Sequence, residues 1–245
     1  MRKIRLFIER NGLNLGFLTE ITGQDFEYLT KVMRIKVGDE ISVFNGFDGD
    51  FTAKITEISK KSLAISLKNQ IRKQDLSTNI TLAFAPVKNV RIDFIAQKAV
   101  ELGVASFQPM ITARSIVDKI NFDRFKANIK EACEQCETNF IPQILPIKKL
   151  EKLLEDITLK DKILLLCDES GNGKKAQEIL PKIAKNRSLN QEIMIFIGPE
   201  GGFSVEEFKK FRQIKNLHSL SLGKRILRSD TAIISALSLV QEFVD

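Results

Sequence analysis

Two glycine-rich loops near the end of the sequence contain the residues best suited to chemistry. The first follows an apolar run and reads Ile197-Gly-Pro-Glu-Gly-Gly-Phe-Ser204; we call Gly198–Gly202 the first glycine loop. Its glycines allow a sharp turn and a close approach by a ligand, and Pro199 fixes its own φ. Ser204 and Glu207 have the spacing of a capping box, which predicts a helix directly after the loop. A loop between a strand and a helix is where α/β sheets usually hold a ligand.

A second loop repeats this pattern one predicted strand later, in Leu220-Ser-Leu-Gly-Lys-Arg-Ile-Leu-Arg-Ser-Asp-Thr-Ala232. We call Leu222–Arg228 the second glycine loop. Neither loop matches the fingerprint of a dinucleotide site or a P-loop, which disfavours a nucleotide- or NAD-dependent enzyme. A single glycine-rich turn is as often a structural turn, which only lets a helix pack on a sheet, as it is a ligand-binding loop. Two in succession favour a ligand site.

The elements that position these loops change in character along the chain. Residues 1–70 contain short strands with alternating apolar residues and one helix, which Thr22 would cap and which would run to about Arg34. This pattern predicts a small β-barrel. Residues 71–78 are polar and predict a linker, and residues 79–245 form the second domain. In that domain we predict strands at Ile80–Pro86, Ala105–Ile111, Ile163–Cys167, Ile193–Ile197 and Ser219–Leu222, and helices at Val90–Leu102, Phe122–Cys136, Ile147–Leu154, Lys174–Ala184, Val205–Phe211 and Ser229–Phe243. Apolar strands that alternate with helices predict an α/β fold with a parallel sheet.

The net charge indicates which kind of partner the protein binds, and the cysteine content indicates its cellular compartment. The net charge is +7 and the isoelectric point about 9.2, which favours a polyanionic partner. Cys133 and Cys136 stand in a C-x-x-C pattern, but His218 is the single histidine, so a zinc site lacks ligands. We therefore expect reduced cysteines, no metal and a cytoplasmic protein. We find no apolar run long enough to cross a membrane and expect no membrane partner.

Several stretches are similar to those of one known family. They are Leu29-Thr-Lys-Val-Met-Arg-Ile-Lys-Val-Gly-Asp-Glu40, the turn Phe44-Asn-Gly46, Gln97-Lys-Ala-Val-Glu-Leu-Gly-Val104, Ala132-Cys-Glu-Gln135 with Pro142 after it, and the two glycine loops. Over nearly its whole length the chain resembles the bacterial 16S ribosomal RNA uracil-N3 methyltransferases of the SPOUT superfamily. The two loops are specific to the family in combination, whereas any one motif alone would be weak.

The resemblance implies a PUA-like β-barrel that binds RNA, followed by an α/β domain with a parallel sheet and a C-terminal trefoil knot. It implies a homodimer that holds S-adenosylmethionine in the knot. The reaction that it implies is methylation of N3 of one uridine in 16S ribosomal RNA, within the small ribosomal subunit.

The resemblance also implies roles for particular residues. Those expected to bind the cofactor are Leu166, Ile197, Gly198, Pro199, Glu200, Gly201, Gly202, Leu222, Gly223, Ile226 and Leu227. Those expected to contact RNA are Arg5, Arg34, Lys88 and Arg114. The base that accepts the uracil N3 proton would be Glu200, Asp230 or a water held by one of them. Arg228 would hold a phosphate or a uracil carbonyl, because its planar fork suits either. Glu101 and Glu134 are alternatives, although structural ion pairs are the commoner role for such residues.

The sequence departs from the family pattern at four places, one of which is Tyr28, where a histidine is common. Lys224 and Asp230 stand where a proline and a glutamate are usual, and Glu137-Thr-Asn-Phe140 replaces a segment with two arginines. These departures bear on RNA contacts more than on the reaction. Two alternatives therefore stay open: a SPOUT methyltransferase that acts on tRNA or 23S ribosomal RNA, and a non-catalytic RNA-binding factor of ribosome assembly. The intact glycine loops disfavour the second, and cofactor binding would distinguish it.

Overall fold

The computed structural model describes residues 4–87, 89–158, 161–188 and 191–244. The chain divides into two compact units. The first unit comprises Met1–Leu76 and Cys133–Ile141, and the second comprises Ser77–Ala132 and Pro142–Asp245. Lys88, one of the expected RNA contacts, lies outside the described residues.

The first unit is built on a five-stranded sheet. Its strands are β1 (Arg5–Phe7), β2 (Leu18–Thr22), β3 (Glu40–Phe44), β4 (Asp50–Ile58) and β5 (Ser62–Arg72). Their order is β1-β3-β4-β5-β2, with β1 parallel to β3 and the other neighbours antiparallel. The alternating apolar residues pack as one core that includes Leu6, Val43 and Ile65. In β3 every residue after Glu40 is buried.

Two predictions for the first unit were wrong in detail. The helix after Thr22 is the short α1 (Gly23–Glu27), which continues as a π-helical turn at Tyr28–Val32, and Thr22 makes no side-chain capping hydrogen bond. Strand β5 runs on to Arg72, so the polar stretch there includes the exposed end of a strand. Polarity alone did not separate a linker from a strand whose outer end faces water.

The segment Cys133–Ile141 belongs to the first unit because buried polar groups tie it to the sheet. Arg5, whose side chain is 7% exposed, donates to Asp50 (2.8 Å) and to the carbonyls of Cys133 (2.6 Å) and Thr138 (3.0 Å). Asn139 is fully buried; its Oδ1 accepts from the backbone N–H of Asp75 (2.8 Å) and its Nδ2 donates to the carbonyl of Lys73 (2.9 Å). These bonds satisfy backbone groups that would otherwise be buried without partners.

The second unit is built on an eight-stranded parallel sheet. Its strands are β6 (Ile80–Phe84), β7 (Ser106–Ile111), β8 (Gln143–Ile144), β9 (Lys148–Lys149), β10 (Ile163–Cys167), β11 (Lys174–Lys175), β12 (Ile193–Ile197) and β13 (Leu217–Ser221). Its helices are α2 (Asn89–Glu101), α3 (Phe122–Cys136), α4 (Leu150–Thr158), α5 (Ala176–Asn186), α6 (Val205–Arg212) and α7 (Ser229–Val244). The strand order is β11-β13-β10-β12-β6-β7-β8, and β9 also pairs with β7. The predicted parallel α/β sheet is confirmed.

The order of the strands brings three of their ends together. Strand β10 lies between β12 and β13, and all three run in the same direction. Strands β6, β10 and β12 are buried along their whole length, as a central position in a parallel sheet requires. In the described ranges, no helix is both long and apolar enough to cross a membrane.

Candidate active site

A cavity of about 180 Å³ lies at the carboxyl ends of β10, β12 and β13. Its lining comes from the last residues of β10 and β12, from the loops that follow the three strands, and from the start of α7. The lining residues are Cys167, Asp168, Glu169 and Gly171 at the end of β10 and after it; Ile197, Gly198, Pro199, Glu200 and Gly202 at the end of β12 and after it; and Leu222, Gly223, Lys224, Arg225, Ile226, Leu227, Ser229 and Ala232 after β13. Both glycine loops therefore reach the same site. This is the edge at which open α/β sheets bind ligands.

The first glycine loop is held by the capping box that its sequence predicts. Ser204 Oγ accepts from the backbone N–H of Glu207 (3.2 Å), and Glu207 Oε2 accepts from the backbone N–H of Ser204 (2.7 Å). Glu207 is buried, and its other oxygen accepts from the backbone N–H of Ala113 (2.7 Å). Arg114 then donates to the carbonyl of Gly201 (2.7 Å). The segment after β7 thus fixes the glycine loop from outside the cavity.

Glu169 fixes the same loop from the cavity side. Its Oε1 accepts from the backbone N–H of Phe203 at 2.9 Å. Gly202 has a φ of +67°, and a Cβ at this position would collide with that oxygen. The backbone conformation at position 202 therefore favours glycine, and a larger residue there would also displace the carboxylate of Glu169.

The two glycine loops are joined by a hydrogen bond. The buried Ser229, at the start of α7, donates through Oγ to the carbonyl of Gly198 (3.2 Å). Gly223 turns the chain with a φ of +111° after β13. The residues that follow it are exposed, and the side chain of Ile226 is 90% exposed.

The residues expected to bind the cofactor mostly come together at the cavity. Those that line it are Ile197, Gly198, Pro199, Glu200, Gly202, Leu222, Gly223, Ile226 and Leu227. Leu166 does not line it, because its side chain is buried in the core of the second unit. Gly201 does not line it either, and a Cβ there would lie 3.5 Å from the side chain of Arg114.

Of the three expected catalytic residues, one lines the cavity and two do not. Glu200 is exposed and lines the cavity, whereas Arg228 and Asp230 lie beside the lining residue Ser229 without lining the cavity themselves. Asp230 Oδ1 accepts from the backbone N–H of Thr231 (2.7 Å). The alternatives have structural contacts: Glu101 pairs with Lys98 (2.8 Å), and Glu134 accepts from the backbone N–H of Phe7 (2.9 Å).

The wall that sequence reasoning missed is the loop after β10. Burial raises the pKa of the Cys167 thiol, with further contributions from Glu169 and Asp168. Asp168 is buried, and its Oδ1 accepts from the backbone N–H of Ser170 (2.8 Å). The apolar strand Ile163–Cys167 was predicted, and the rule that ligands bind beyond the carboxyl ends of strands would have indicated both acids. Carboxylates thus stand on the walls after β10 and β12, and cations on the wall after β13.

The expected RNA contacts have different surroundings. Arg34 is exposed in the first unit, at a φ of 55°. Arg5 is committed to buried carbonyls and Asp50, and its guanidinium lies over the ring of Phe44. Arg5 therefore acts as a structural residue in this geometry. Arg114 is exposed, and one nitrogen of its guanidinium, Nη1, donates to the carbonyl of Gly201.

Comparison with known proteins agrees with the geometry of the cavity. The family model "RNA methyltransferase domain" matches residues 74–241, and the model "RNA methyltransferase PUA domain" matches residues 21–68. Ribosomal RNA small subunit methyltransferase E of Rickettsia conorii is 34% identical over 87% of this chain and 85% of its own. The enzyme of that name from Buchnera aphidicola of Acyrthosiphon pisum is 30% identical over 97% of this chain and 92% of its own.

Two solved structures share the fold over nearly the whole chain. A putative methyltransferase of Legionella pneumophila in complex with S-adenosylmethionine has a TM-score of 0.83 and 29% identity, covering 99% of this chain and 98% of its own. Ribosomal RNA small subunit methyltransferase E of Neisseria gonorrhoeae bound to S-adenosylmethionine has a TM-score of 0.83 and 27% identity, covering 98% of both chains. This chain therefore belongs to the RNA methyltransferase family of SPOUT enzymes that includes ribosomal RNA small subunit methyltransferase E.

Proposed function

We propose that this protein transfers the methyl group of S-adenosylmethionine to N3 of one uridine in 16S ribosomal RNA. The observation that carries the proposal is the cavity at the ends of β10, β12 and β13, which both glycine loops line. Relatives of the same fold have been crystallised with S-adenosylmethionine. The names of the relatives support the small-subunit RNA as substrate.

The residues at the cavity fit this cofactor chemically. S-adenosylmethionine carries two cationic groups, a sulfonium and an ammonium. The carboxylates of Asp168, Glu169 and Glu200 line the cavity and would attract these groups. Backbone at Gly223 is open to close approach by an adenosine, because nothing lies within 4 Å of the position that a Cβ would take there. The apolar lining residues Ile197, Leu222 and Leu227 suit its adenine ring.

When bound, the cofactor supplies an electrophilic methyl group on sulfur. The chain must hold the uracil in line with that group and accept the N3 proton, so positioning and one general base are what its residues contribute. We assign the base to Glu200, because it lines the cavity on the first glycine loop. Asp230 is less suited, because it does not line the cavity and its Oδ1 accepts a hydrogen bond from the backbone N–H of Thr231.

We assign Arg228 to the RNA. Its side chain is exposed, directly precedes the lining residue Ser229, and has no hydrogen-bond or ion-pair partner among the described residues. A guanidinium in that position is available to hold a phosphate or a uracil carbonyl near the cavity. The resemblance to the PUA domain and the net charge of +7 support RNA contact by the first unit as well.

The proposal includes three further features of the family. These are a trefoil knot in the C-terminal segment, a homodimer, and a cytoplasmic location, where small subunits are assembled. The position of β10 between β12 and β13 supports the first, because the chain must cross back over β10 after α6. Tracing of the threaded segment in a crystal structure tests the knot, and sedimentation tests the homodimer.

The cofactor assignment is tested by calorimetric titration with S-adenosylmethionine. Ala232 lines the cavity from α7, so Ala232→Leu should fill it and weaken binding at least tenfold. Ser238→Leu adds a leucine at an exposed site of the same helix and is the control. Binding to the parent and to the control but not to Ala232→Leu is the expected result. Equal affinity for all three would place the cofactor elsewhere.

The reaction is tested by mapping the methyl group after incubation with radiolabelled cofactor and small subunits. We expect label on N3 of a single uridine of 16S ribosomal RNA. Glu200→Gln should lower the single-turnover rate at saturating S-adenosylmethionine by roughly 10²-fold or more, a larger factor than the loss of cofactor affinity that removal of its charge causes. Label on tRNA or 23S ribosomal RNA instead would favour the alternative substrate, and no label on any RNA would favour the non-catalytic factor.

A further inference from the structure

The second glycine loop has a composition that its contacts with the chain do not explain. Lys224, Arg225 and Arg228 place three cations within five residues. Ile226 stands between them with a side chain that is 90% exposed. An exposed apolar side chain among three exposed cations on one short loop suits a partner that offers both negative charge and apolar faces, as a nucleic acid does.

The charges of this loop are not used inside the protein. In the described part of the chain, none of the three side chains has a hydrogen-bond or ion-pair partner, whereas many other cations do. Examples of paired cations are Arg5, Arg72, Lys98, Arg124, Lys148, Lys152, Lys162 and Lys210. Unpaired cations in a cluster attract phosphates, because each contact releases counterions from the nucleic acid.

The loop is anchored only at its two ends. The backbone N–H of Gly223 donates to Ser221 Oγ (3.3 Å), and the carbonyl of Arg228 accepts from the backbone N–H of Ala232 (2.8 Å). Among the described residues, no hydrogen bond is formed by residues 224–227. The loop thus lines the cavity while its middle carries exposed side chains beside the entrance.

The chemistry of the substrate requires such a surface. N3 of uracil lies on the edge that pairs with adenine, so the target base must leave any pair or stack to reach the cavity. The neighbouring base then loses a stacking partner and exposes an apolar face. A side chain such as isoleucine can cover that face, as apolar wedges do in other nucleic-acid complexes.

We propose that the second glycine loop is the surface that receives the RNA strand on either side of the target uridine. Lys224 and Arg225 bind the flanking phosphates, and Ile226 packs against the face of the neighbouring base. This inference rests on the proposed function and gives Ile226 a different partner from the one that sequence reasoning assigned to it. The cluster of cations favours RNA over a second copy of this chain, which carries the same charge.

Two variants test the loop, and each has a matched control elsewhere in the chain. Ile226→Ser removes the apolar side chain, and Leu76→Ser removes an equally exposed one elsewhere. Lys224→Gln with Arg225→Gln removes two charges from the loop, and Lys209→Gln with Arg212→Gln removes two exposed charges from α6. For each protein we would measure calorimetric affinity for S-adenosylmethionine, affinity for a 16S ribosomal RNA transcript over a range of salt concentrations, and the sedimentation coefficient.

We expect Ile226→Ser to weaken RNA binding about tenfold. Because Ile226 also lines the cavity, some loss of cofactor affinity is expected, and it should be clearly smaller than the loss of RNA affinity. The double charge variant should lower the slope of log affinity against log salt by about 1.4, the value for two lost contacts to single-stranded phosphates. Both control proteins, in which Ile226, Lys224 and Arg225 are unchanged, should bind RNA with an affinity within about threefold of the parent. The sedimentation coefficient should not change in any of them.

Three results would overturn the inference while the proposed function stands. They are RNA affinity of Ile226→Ser equal to that of Leu76→Ser, a loss of cofactor affinity that matches the loss of RNA affinity, and a change in sedimentation. The second would mean that Ile226 covers the cofactor, and the third that a second copy covers the loop. Failure of the parent itself to bind S-adenosylmethionine or to methylate the RNA would overturn the proposed function.

Discussion

At the scale of single residues, Arg34 has a backbone conformation that favours glycine. Its φ is 55°, directly after the π-helical turn at Tyr28–Val32. The backbone N–H of Ile35 bonds to the carbonyl of Leu29 (3.0 Å), which is the closure that a left-handed residue permits at a helix end. A side chain in this region costs about 1–2 kcal/mol. We infer that Arg34 persists there because its charge contacts RNA.

The change Arg34→Gly should therefore stabilise the protein by about 0.5–1 kcal/mol, since relief of strain exceeds the entropy cost of glycine. RNA affinity should fall about fivefold, because one phosphate contact is lost. Urea denaturation and RNA titration measure the two effects. Lys36→Ala, which removes an exposed charge nearby without strain, should leave stability unchanged. A loss of stability in Arg34→Gly would refute the strain argument.

His218 offers a direct test of local burial, because it is the single histidine. Burial in β13, and secondly the charge of Lys174, lower its pKa below 6.5. One imidazole signal in an NMR titration should therefore have a midpoint below 6.5. Lys174→Gln should raise that midpoint, and Lys175→Gln should not. An unchanged midpoint in Lys174→Gln would leave burial as the sole cause.

The sign of the linked stability change follows from this shift. Below pH 6.5 the unfolded chain binds the histidine proton and the folded chain resists it, so this group destabilises the fold as pH falls. His218→Gln should lose less unfolding free energy than the parent between pH 7 and pH 5. Urea denaturation at the two pH values measures the difference, and parallel losses would contradict it.

At the scale of elements, Glu207 determines how α6 and the segment after β7 hold the first glycine loop. Its two oxygens accept from the backbone N–H groups of Ser204 and Ala113. Glu207→Ala leaves both without a partner and should destabilise the protein by about 2–4 kcal/mol. Glu206→Ala removes an exposed carboxylate of the same helical turn and should change stability by less than about 0.5 kcal/mol. Similar losses in the two variants would mean that charge, and not the hydrogen bonds, matters.

The elements show which parts of the fold the sequence could predict. Strands β10 and β12 and helix α3 were predicted with their observed bounds, because continuous apolar runs and helical periodicity are local signals. The short strands β9 and β11 were predicted as the starts of helices. Two lysines have no strand pattern of their own, and only pairing with distant strands makes them strands.

The candidate site shows the same limit. Both glycine loops were found from local spacing, and most of their residues line the cavity. The wall with Asp168 and Glu169 was missed, because it requires knowing that β10 lies between β12 and β13. That order is not the order of the sequence. Gly201 is the one residue of the first glycine loop that does not line the cavity, and spacing alone does not give the direction of each residue in a turn.

At the scale of the whole molecule, the first unit is made from two separate parts of the chain. Asn139→Ala should destabilise this unit by about 3 kcal/mol, because the backbone groups of Lys73 and Asp75 would lose their partner in a buried place. Tyr28 is the single tyrosine and the chain has no tryptophan, so tyrosine fluorescence in urea reports this unit. Asn14→Ala, at an exposed site of the unit, is the control. Equal midpoints for the two variants would mean that the segment around Asn139 contributes no stability.

The divided first unit also has a consequence for protein synthesis. A ribosome releases the chain from its N-terminus, so Leu76 emerges roughly 65 residues before Ile141. At about 5–20 residues per second, several seconds pass before synthesis of the segment that forms hydrogen bonds with Arg5 and with the end of β5. During that interval the first strands and helices of the second unit are already outside. The N-terminal unit is therefore expected to finish folding after the C-terminal unit has started, in reverse of the usual order for a growing polypeptide.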